Sequence, residues 1–161
     1  MRFTLQPITT PEAREISRWR YPEPYAMYDG NPASISSLLD ERFAYHSVRD
    51  EHDELAGYFC FGEDARIPEG RKLGLYDEEA LDAGLGMKPG LTGKGLGLEF
   101  MLAGLRFAEN RFPTPAFRLT VATFNQRAVR VYEKAGFEVT ATFGSSTASG
   151  GLEWLLMRRL V

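Results

Sequence analysis

The chain has 161 residues, 43% of them hydrophobic, with one cysteine and a formal net charge of −3. This length predicts a single domain over residues 1–161. The acidic balance argues against a dedicated nucleic-acid-binding protein, which needs a basic surface. The lone Cys60 excludes an internal disulfide framework and a cysteine-cluster zinc site. No apolar stretch approaches the roughly 20 residues of a membrane span, and the N-terminus lacks a signal-peptide pattern. We therefore expect a cytoplasmic protein that does not act at a membrane.

Charge is distributed unevenly along the sequence. Residues 1–80 contain 16 acidic and 9 basic side chains, whereas residues 81–161 contain 6 acidic and 10 basic ones. One region of the surface is then acidic and another basic, which suits partners of opposite sign. The alternative is that the helix and loop surfaces simply differ in charge.

The first half of the chain begins with alternating residues that predict a strand over residues 2–8. Thr10 and Pro11 then predict the N-cap and first position of a helix. The remaining pattern predicts an irregular stretch over 21–32, a short helix over 35–43, strands over 43–48 and 55–62, and a loop over 63–79.

The second half alternates strands with longer helices. Its pattern predicts strands over 81–87, 117–123, 137–143 and 152–160, helices over 94–112 and 125–135, and a loop over 144–151. The complete order predicts an α/β (α+β) fold, with a twisted mixed sheet and helices on both faces. The strands on either side of the 94–112 helix should be parallel.

The densest motif, residues 89–97 (PGLTGKGLG), lies between a predicted strand and a predicted helix. Gly93, Gly95 and Gly97 allow a tight turn, and the helix N-terminus favours a phosphate group. The P-loop pattern fails, because Lys88 replaces its first glycine and Gly95 replaces its Ser or Thr. The dinucleotide pattern G-x-G-x-x-G fails as well. A purely structural glycine-rich turn is the alternative.

Two segments resemble the GNAT superfamily of N-acetyltransferases. Residues 92–97 (TGKGLG) resemble its cofactor motif [Q/R]-x-x-G-x-[G/A], with Thr92 at the first position. Residues 125–137 (NQRAVRVYEKAGF) resemble its N-x-x-A-x-x-x-Y-x-x-x-G-F segment. Residues 82–85 (DAGL) are similar to a strand of the ribosomal-protein N-terminal acetyltransferase branch. The resemblance implies the GNAT fold and direct transfer of the acetyl group of acetyl-CoA to a primary amine in a ternary complex.

The resemblance also implies a set of residues that bind acetyl-CoA, through backbone groups of a splayed strand and through the glycine-rich turn. The backbone amide of Met87 is implied as an oxyanion-hole donor, whereas Asn125 has helix capping as an alternative role. The full set is Leu85, Gly86, Met87, Thr92, Gly93, Lys94, Gly95, Leu96, Gly97 and Asn125.

Two residues are the implied catalytic pair. Tyr132 is the candidate general acid that protonates the departing thiolate, with packing as a core aromatic residue as its alternative. Asp82 is the candidate base, acting through a water molecule, and its alternative is a carboxylate that binds or orients the amine. The weaker candidates for the base are Glu63, Asp64, Glu153 and His46.

The acceptor side is implied by an aromatic segment that contains Tyr21, Tyr25 and Tyr28. These rings can bind an amine, carried by a small molecule or by a peptide or protein, or they can simply pack under a loop. A basic stripe of Arg127, Arg130 and Lys134 either attracts phosphates or is solvated. Cys60 is expected to be buried and structural.

Neither histidine has metal-ligand spacing, so we expect no metal. A homodimer is compatible with the sequence. Two rivals stay open: a non-catalytic acyl-CoA-binding sensor with the same fold, and a nucleotide site at the glycine-rich turn.

Overall fold

The computed structural model describes residues 2–145 and 151–161 and contains a seven-stranded mixed sheet with the order β1-β2-β3-β4-β5-β7-β6. β4 and β5 run parallel, and the other neighbouring strands are antiparallel. The predicted mixed sheet is thereby confirmed. The strands are β1 (Thr4–Pro7), β2 (His46–Arg49), β3 (Leu55–Phe61), β4 (Leu81–Met87), β5 (Ala116–Ala122), β6 (Glu138–Ser145) and β7 (Leu152–Leu160).

Helices cover both faces of the sheet, as predicted. Phe59 of β3 stacks on Phe100 of the long helix, with ring centroids 5.1 Å apart. Tyr58, the next residue and therefore on the opposite face, stacks on Trp19 at 6.2 Å. The helices are α1 (Thr10–Ser17), α2 (Ser34–Leu38), α3 (Pro68–Lys72), α4 (Gly97–Arg111) and α5 (Gln126–Lys134).

The start of α1 differs by one residue from the prediction. Thr9, not Thr10, is the N-cap, and its hydroxyl accepts a hydrogen bond from the Glu12 amide. The Glu12 carboxylate in turn accepts from the Thr9 amide at 2.9 Å, which completes a capping box. The N-cap is therefore Thr9, because the capping box requires the glutamate three residues after the cap and Glu12 holds that position.

Two further departures concern short elements of the first half of the chain. The predicted loop over 63–79 contains the short helix α3, and the predicted helix over 35–43 shortens to α2. Residues 146–150 of the predicted loop over 144–151 lie outside the described residues. Within the described ranges, no helix has the length and apolar character that crossing a membrane requires.

The parallel pair β4 and β5 separates soon after it begins. Its pairing comprises Leu81 with Phe117 and Asp82 with Arg118, and β4 continues to Met87 without a partner on that side. The two strands therefore form a fork. The glycine-rich turn follows β4, and α5 follows β5, so both lie at the open end of this fork.

Candidate functional site

A cavity of about 540 Å³ occupies the fork between β4 and β5. It is bounded by the glycine-rich turn, the first turns of α5, the aromatic segment before α2 and the turn after β3. Of the site residues predicted from the sequence, most line this cavity: Tyr21, Tyr25, Tyr28, Leu85, Gly86, Met87, Thr92, Gly93, Gly95, Gly97, Asn125 and Tyr132. Asp82, Lys94 and Leu96 are not part of the lining.

The backbone of β4 presents polar groups to the cavity. The amide of Gly62 donates to the Asp82 carbonyl, and the amide of Lys88 donates to the Ala56 carbonyl, both at 2.8 Å. Because antiparallel pairing uses alternate residues, the backbone groups of Leu85 and Met87 face the fork instead. The Met87 carbonyl accepts a hydrogen bond from the Tyr21 hydroxyl at 2.6 Å. The Met87 amide faces the same side with no strand opposite it.

The glycine-rich turn closes one end of the cavity. Gly93 and Gly95 have φ angles of 72° and 78°, a conformation that favours glycine. These angles delay the start of α4 to Gly97, three residues after the predicted Lys94. A Cβ on Gly97 would lie 2.9 Å from a methyl group of Val131, so glycine allows α4 to approach α5 closely.

The N-terminus of α4 receives no capping hydrogen bond from the side chain of its cap residue, Leu96. The positive end of the helix dipole therefore points toward the turn, and one acidic side chain, Glu99, lies in the first turn of α4. The Thr92 hydroxyl donates to the Pro89 carbonyl at 2.8 Å, so it is engaged locally.

Arg127 is the cation of this end of the cavity. Its guanidinium carbon lies 4.3 Å from the centroid of the Tyr25 ring. A Cβ on Gly93 would lie 3.3 Å from its Nη1 atom, which places the charge beside the turn. Arg130 and Lys134, the other members of the predicted basic stripe, are exposed and lie outside the lining.

Asn125 uses both ends of its side chain within the protein. Its Oδ1 atom accepts a hydrogen bond from the Ala128 amide at 3.2 Å, which caps α5. Its Nδ2 atom donates to the Tyr28 hydroxyl at 3.2 Å. Asn125 therefore joins the start of α5 to the aromatic segment.

Tyr132 projects from α5 into the cavity lining. Burial raises the pKa of its phenol above the ordinary value, and the neighbouring Tyr28 and Tyr58 add to this effect. Its hydroxyl has no hydrogen-bond partner within the part of the chain that the structure describes. A protonated phenol that lacks a partner is suited to donating its proton to a bound ligand.

Asp82 lies at the closed end of the fork, and its geometry does not agree with the predicted role of general base. The side chain is 1% exposed. Its Oδ1 atom accepts from Arg118 Nε at 2.6 Å, and its Oδ2 atom accepts from Arg118 Nη2 and Arg66 Nε, both at 2.8 Å. The two guanidinium groups occupy both carboxylate oxygens. Through these contacts Asp82 joins β4 to β5 and to the segment before α3.

Of the four weaker candidates for the base, only Asp64 is among the described residues that line the cavity. His46 packs against Phe107, with ring centroids 4.7 Å apart, on the face that α4 covers. Glu63 and Glu153 are exposed and do not line the cavity. Asp64 does line it, and its carboxylate accepts a hydrogen bond from the Tyr45 hydroxyl.

Sequence analysis did not assign Tyr45, Tyr58 or Cys60 to the site, yet all three line the cavity. Burial raises the pKa of Tyr58 and that of Cys60 to about 12, and Asp64 contributes to both increases. Both groups therefore remain protonated near neutral pH. The period of two in β3 is the signal that could have found them, because Tyr58 and Cys60 share the face opposite Phe59.

Within residues 2–145 and 151–161, no group of three or more His, Cys, Asp or Glu side chains is arranged to hold a metal ion. The expectation of no metal remains a prediction.

Comparison with known families gives one match that covers most of the chain. The family model described as "Acetyltransferase (GNAT) domain" matches residues 2–138. A comparison with curated proteins gave no significant match.

Solved structures with the same fold cover 99% of this chain. They include a chimera of the spermidine N-acetyltransferase SpeG from Vibrio cholerae and hSSAT, with a TM-score of 0.73, 18% identity and 96% of its own chain covered. A GNAT-family acetyltransferase from Bacillus anthracis has a TM-score of 0.73, 14% identity and 95% coverage of its chain. AAC(6')-Ib in complex with ribostamycin and coenzyme A has a TM-score of 0.70, 19% identity and 94% coverage of its chain. At these identities the likeness establishes the fold.

Proposed function

Because the chain belongs to the GNAT acetyltransferase family, we propose that it transfers the acetyl group of acetyl-CoA to a primary amine by direct attack in a ternary complex. The observation that carries this proposal is the union of three features in one cavity of about 540 Å³: the glycine-rich turn, the open strand fork and the buried Tyr132. Each feature suits one requirement of the reaction.

The glycine-rich turn and Arg127 suit the phosphates of CoA. The turn lies at the N-terminus of α4, where the cap residue Leu96 makes no side-chain hydrogen bond, and Arg127 adds a full positive charge beside Gly93. Backbone amides together with a guanidinium form an effective phosphate site. Lys94 and Leu96 do not line the cavity, so we propose no contact with the cofactor for their side chains.

The fork suits the pantetheine arm and the thioester. In this proposal the pantetheine arm takes the place of the missing strand. Its amides hydrogen-bond to the backbone groups of Leu85 and Met87. The Met87 amide, which faces the fork, then donates to the thioester oxygen as negative charge develops on it.

The chemistry requires one bond to form and one to break. The neutral amine nitrogen attacks the thioester carbon, the C–N bond forms and the C–S bond breaks. Tyr132 donates its proton to the departing sulfur. The ammonium form of the acceptor releases one proton to solvent before the attack. A second proton leaves the nitrogen during the reaction and restores the phenol, so Tyr132 ends in its starting state.

The identity of the amine acceptor is a further part of the proposal. A solved structure of the same fold is built from a spermidine N-acetyltransferase, which supports a small-molecule amine rather than a protein. The likeness to the ribosomal-protein branch rests on residues 82–85, whereas the solved structures of the same fold named above include a spermidine N-acetyltransferase chimera and AAC(6')-Ib in complex with ribostamycin. A peptide amine is therefore the weaker alternative.

The remaining expectations from the sequence are kept as parts of this proposal: one catalytic domain over residues 1–161, a cytoplasmic location, no metal and the option of a homodimer.

Release of the CoA thiol tests the proposal. The protein is incubated with saturating acetyl-CoA and a panel of primary amines, and free thiol is measured over time. We expect saturable thiol release that depends on the amine. A sensor would instead be stabilised thermally by acetyl-CoA and release no thiol with any amine, and stabilisation by ATP alone would indicate a nucleotide site.

A further inference from the structure

The cavity has two charged ends. Among the lining residues that the structure describes, Asp64 is the one carboxylate and Arg127 the one cation. Arg127 lies beside Gly93 in the turn that follows β4. Asp64 precedes Ala65, whose Cβ would lie 3.3 Å from a Cβ on Gly84, in the middle of β4. The carboxylate is therefore separated from the phosphate end by the second half of β4.

We propose that Asp64 binds the ammonium group of the acceptor and that the preferred acceptor carries a single positive charge on an apolar or aromatic body. This inference rests on the proposed function, because it assigns the substrate class of the same cavity. It concerns the end of the cavity that the glycine-rich turn and Arg127 do not occupy.

Tyr45 holds the Asp64 carboxylate in place. The Tyr45 hydroxyl donates to Oδ2 of Asp64, which leaves Oδ1 to accept a hydrogen bond from an ammonium group. Burial raises the pKa of Tyr45 well above its ordinary value, so the phenol stays a donor. The Tyr45 and Tyr58 rings lie 6.0 Å apart at an angle of 50° and offer aromatic surface beside this carboxylate. A cation that leaves bulk water gains from both the carboxylate and the rings.

Tyr58 connects this end of the cavity to the reacting centre. A Cβ on Gly86 would lie 2.5 Å from the Tyr58 ring, so this ring lies directly against the backbone of the fork. Tyr58 also raises the pKa of Tyr132, and Asp64 raises the pKa of Tyr58. Tyr45, whose hydroxyl holds Asp64, has its ring 6.0 Å from that of Tyr58, so Tyr58 connects the Asp64 carboxylate to the backbone of the fork. An amine nitrogen drawn in by Asp64 therefore lies on the route to the thioester.

The same lining disfavours acceptors with several charges. Beyond Asp64, the described walls of the cavity offer phenols, neutral polar side chains such as Thr120 and Asn125, apolar side chains and Arg127. A second ammonium group would have to lose its hydration against these groups, or lie near a like charge, without a carboxylate to pair with. The inference therefore predicts selection against polyamines.

The experiment compares two amines of equal length, hexylamine and hexamethylenediamine, in the full-length protein. The variants are Asp64→Asn and Tyr45→Phe, with Glu63→Gln as the control, because Glu63 belongs to the same turn but does not line the cavity. We expect kcat/KM to favour hexylamine. Asp64→Asn should raise the KM for hexylamine about tenfold, the loss expected for one charged partner. The KM for acetyl-CoA should change less than about twofold. Tyr45→Phe should give a smaller increase, and Glu63→Gln none.

Binding is measured separately from turnover, so that the two proposals fail in different ways. Hexylamine is titrated calorimetrically into the complex of each variant with CoA. If the wild-type complex binds hexylamine and the Asp64→Asn complex binds it about tenfold more weakly, the inference stands even in the absence of turnover, and only the proposed function fails. Turnover with an unchanged KM in Asp64→Asn, or a preference for the diamine, would overturn the inference and leave the proposed function intact. Absence of hexylamine binding, together with thiol release from no amine of the panel, would overturn both.

Discussion

The surroundings of Tyr132, rather than a hydrogen-bond partner, make its phenol suitable as a proton donor. Burial among Tyr28 and Tyr58 raises the pKa of its phenol, which keeps the proton in place until a better acceptor arrives. In the proposed reaction the departing thiolate is such an acceptor, because the Tyr132 hydroxyl can donate to it without giving up another hydrogen bond.

Replacement of Tyr132 by Phe removes the proton and leaves the ring. We expect kcat to fall about a hundredfold, the lower range for the loss of a general acid, while the KM for acetyl-CoA stays within about twofold. Steady-state kinetics give both values, and a thermal melt checks that the fold is retained. Full turnover by the variant would show that Tyr132 is a packing residue.

The raised pKa of Tyr132 also predicts the alkaline side of the pH profile. A phenol with an ordinary pKa of 10.0 begins to lose its proton below pH 10, whereas burial shifts the loss in Tyr132 to higher pH. We therefore expect no fall in kcat up to about pH 10 that arises from loss of the Tyr132 proton. A fall in kcat between about pH 8 and 9 that is absent from Tyr132→Phe would contradict the assignment.

Arg127 is distinguished from its neighbours on α5 by position alone. It lines the cavity beside Gly93, while Arg130, one turn further along, is exposed to solvent. Arg127→Gln should raise the KM for acetyl-CoA about tenfold, because a guanidinium paired with phosphate contributes on the order of 1–3 kcal/mol. Arg130→Gln is the matched control. Equal effects of the two substitutions would reduce Arg127 to a member of a general basic surface.

At the scale of elements, Asp82 connects the segments that form the closed end of the fork. Its carboxylate joins Arg118 of β5 and Arg66, and both guanidinium groups also lie over the Tyr76 ring, at 5.1 and 5.6 Å. The network fixes the point from which the strands diverge. It also ties the fork to the segment that carries Asp64.

Asp82→Asn is therefore expected to act on stability. Arg118, 3% exposed, would lose its charged partner, and breaking a buried ion pair costs about 3–5 kcal/mol. Urea unfolding should show this loss, while protein that remains folded keeps kcat within a few-fold. Glu79→Gln, at an exposed carboxylate near Asp82 in the sequence, is the control. Unchanged stability together with a loss of kcat of a hundredfold or more would restore Asp82 as the base.

The elements themselves were largely predictable, because their signals are local. The strand over residues 81–87 was predicted with the observed bounds, and Asn125 was predicted as the cap of α5. The start of α4 was not, because positive φ angles at Gly93 and Gly95 override the helical pattern that includes Lys94. The role of Asp82 depends on Arg66 and Arg118, which come from distant segments, so no local pattern reveals it.

At the scale of the whole molecule, the acidic and the basic halves of the sequence each contribute a charged side chain to the same cavity. The acidic half, residues 1–80, contributes Asp64, and the basic half, residues 81–161, contributes Arg127. The two ends then suit a cationic amine and a polyanionic cofactor. The sequence predicted the two kinds of partner, but it did not show which of the 22 acidic side chains would line the cavity.

In the proposed reaction the acetyl group passes directly from acetyl-CoA to the amine. Among the described residues that line the cavity, Cys60 is the rival nucleophile, and burial raises the pKa of its thiol to about 12. A thiol held in this state is a poor nucleophile at neutral pH, because the thiolate is the reactive form.

A single-turnover experiment with acetyl-labelled acetyl-CoA and excess protein tests this claim most directly. Without an amine, we expect the label to remain on acetyl-CoA and none to appear on the protein. When hexylamine is added, the label should appear on the amine in step with release of the CoA thiol. Label found on Cys60, or released only as acetate in the presence of the amine, would contradict direct transfer.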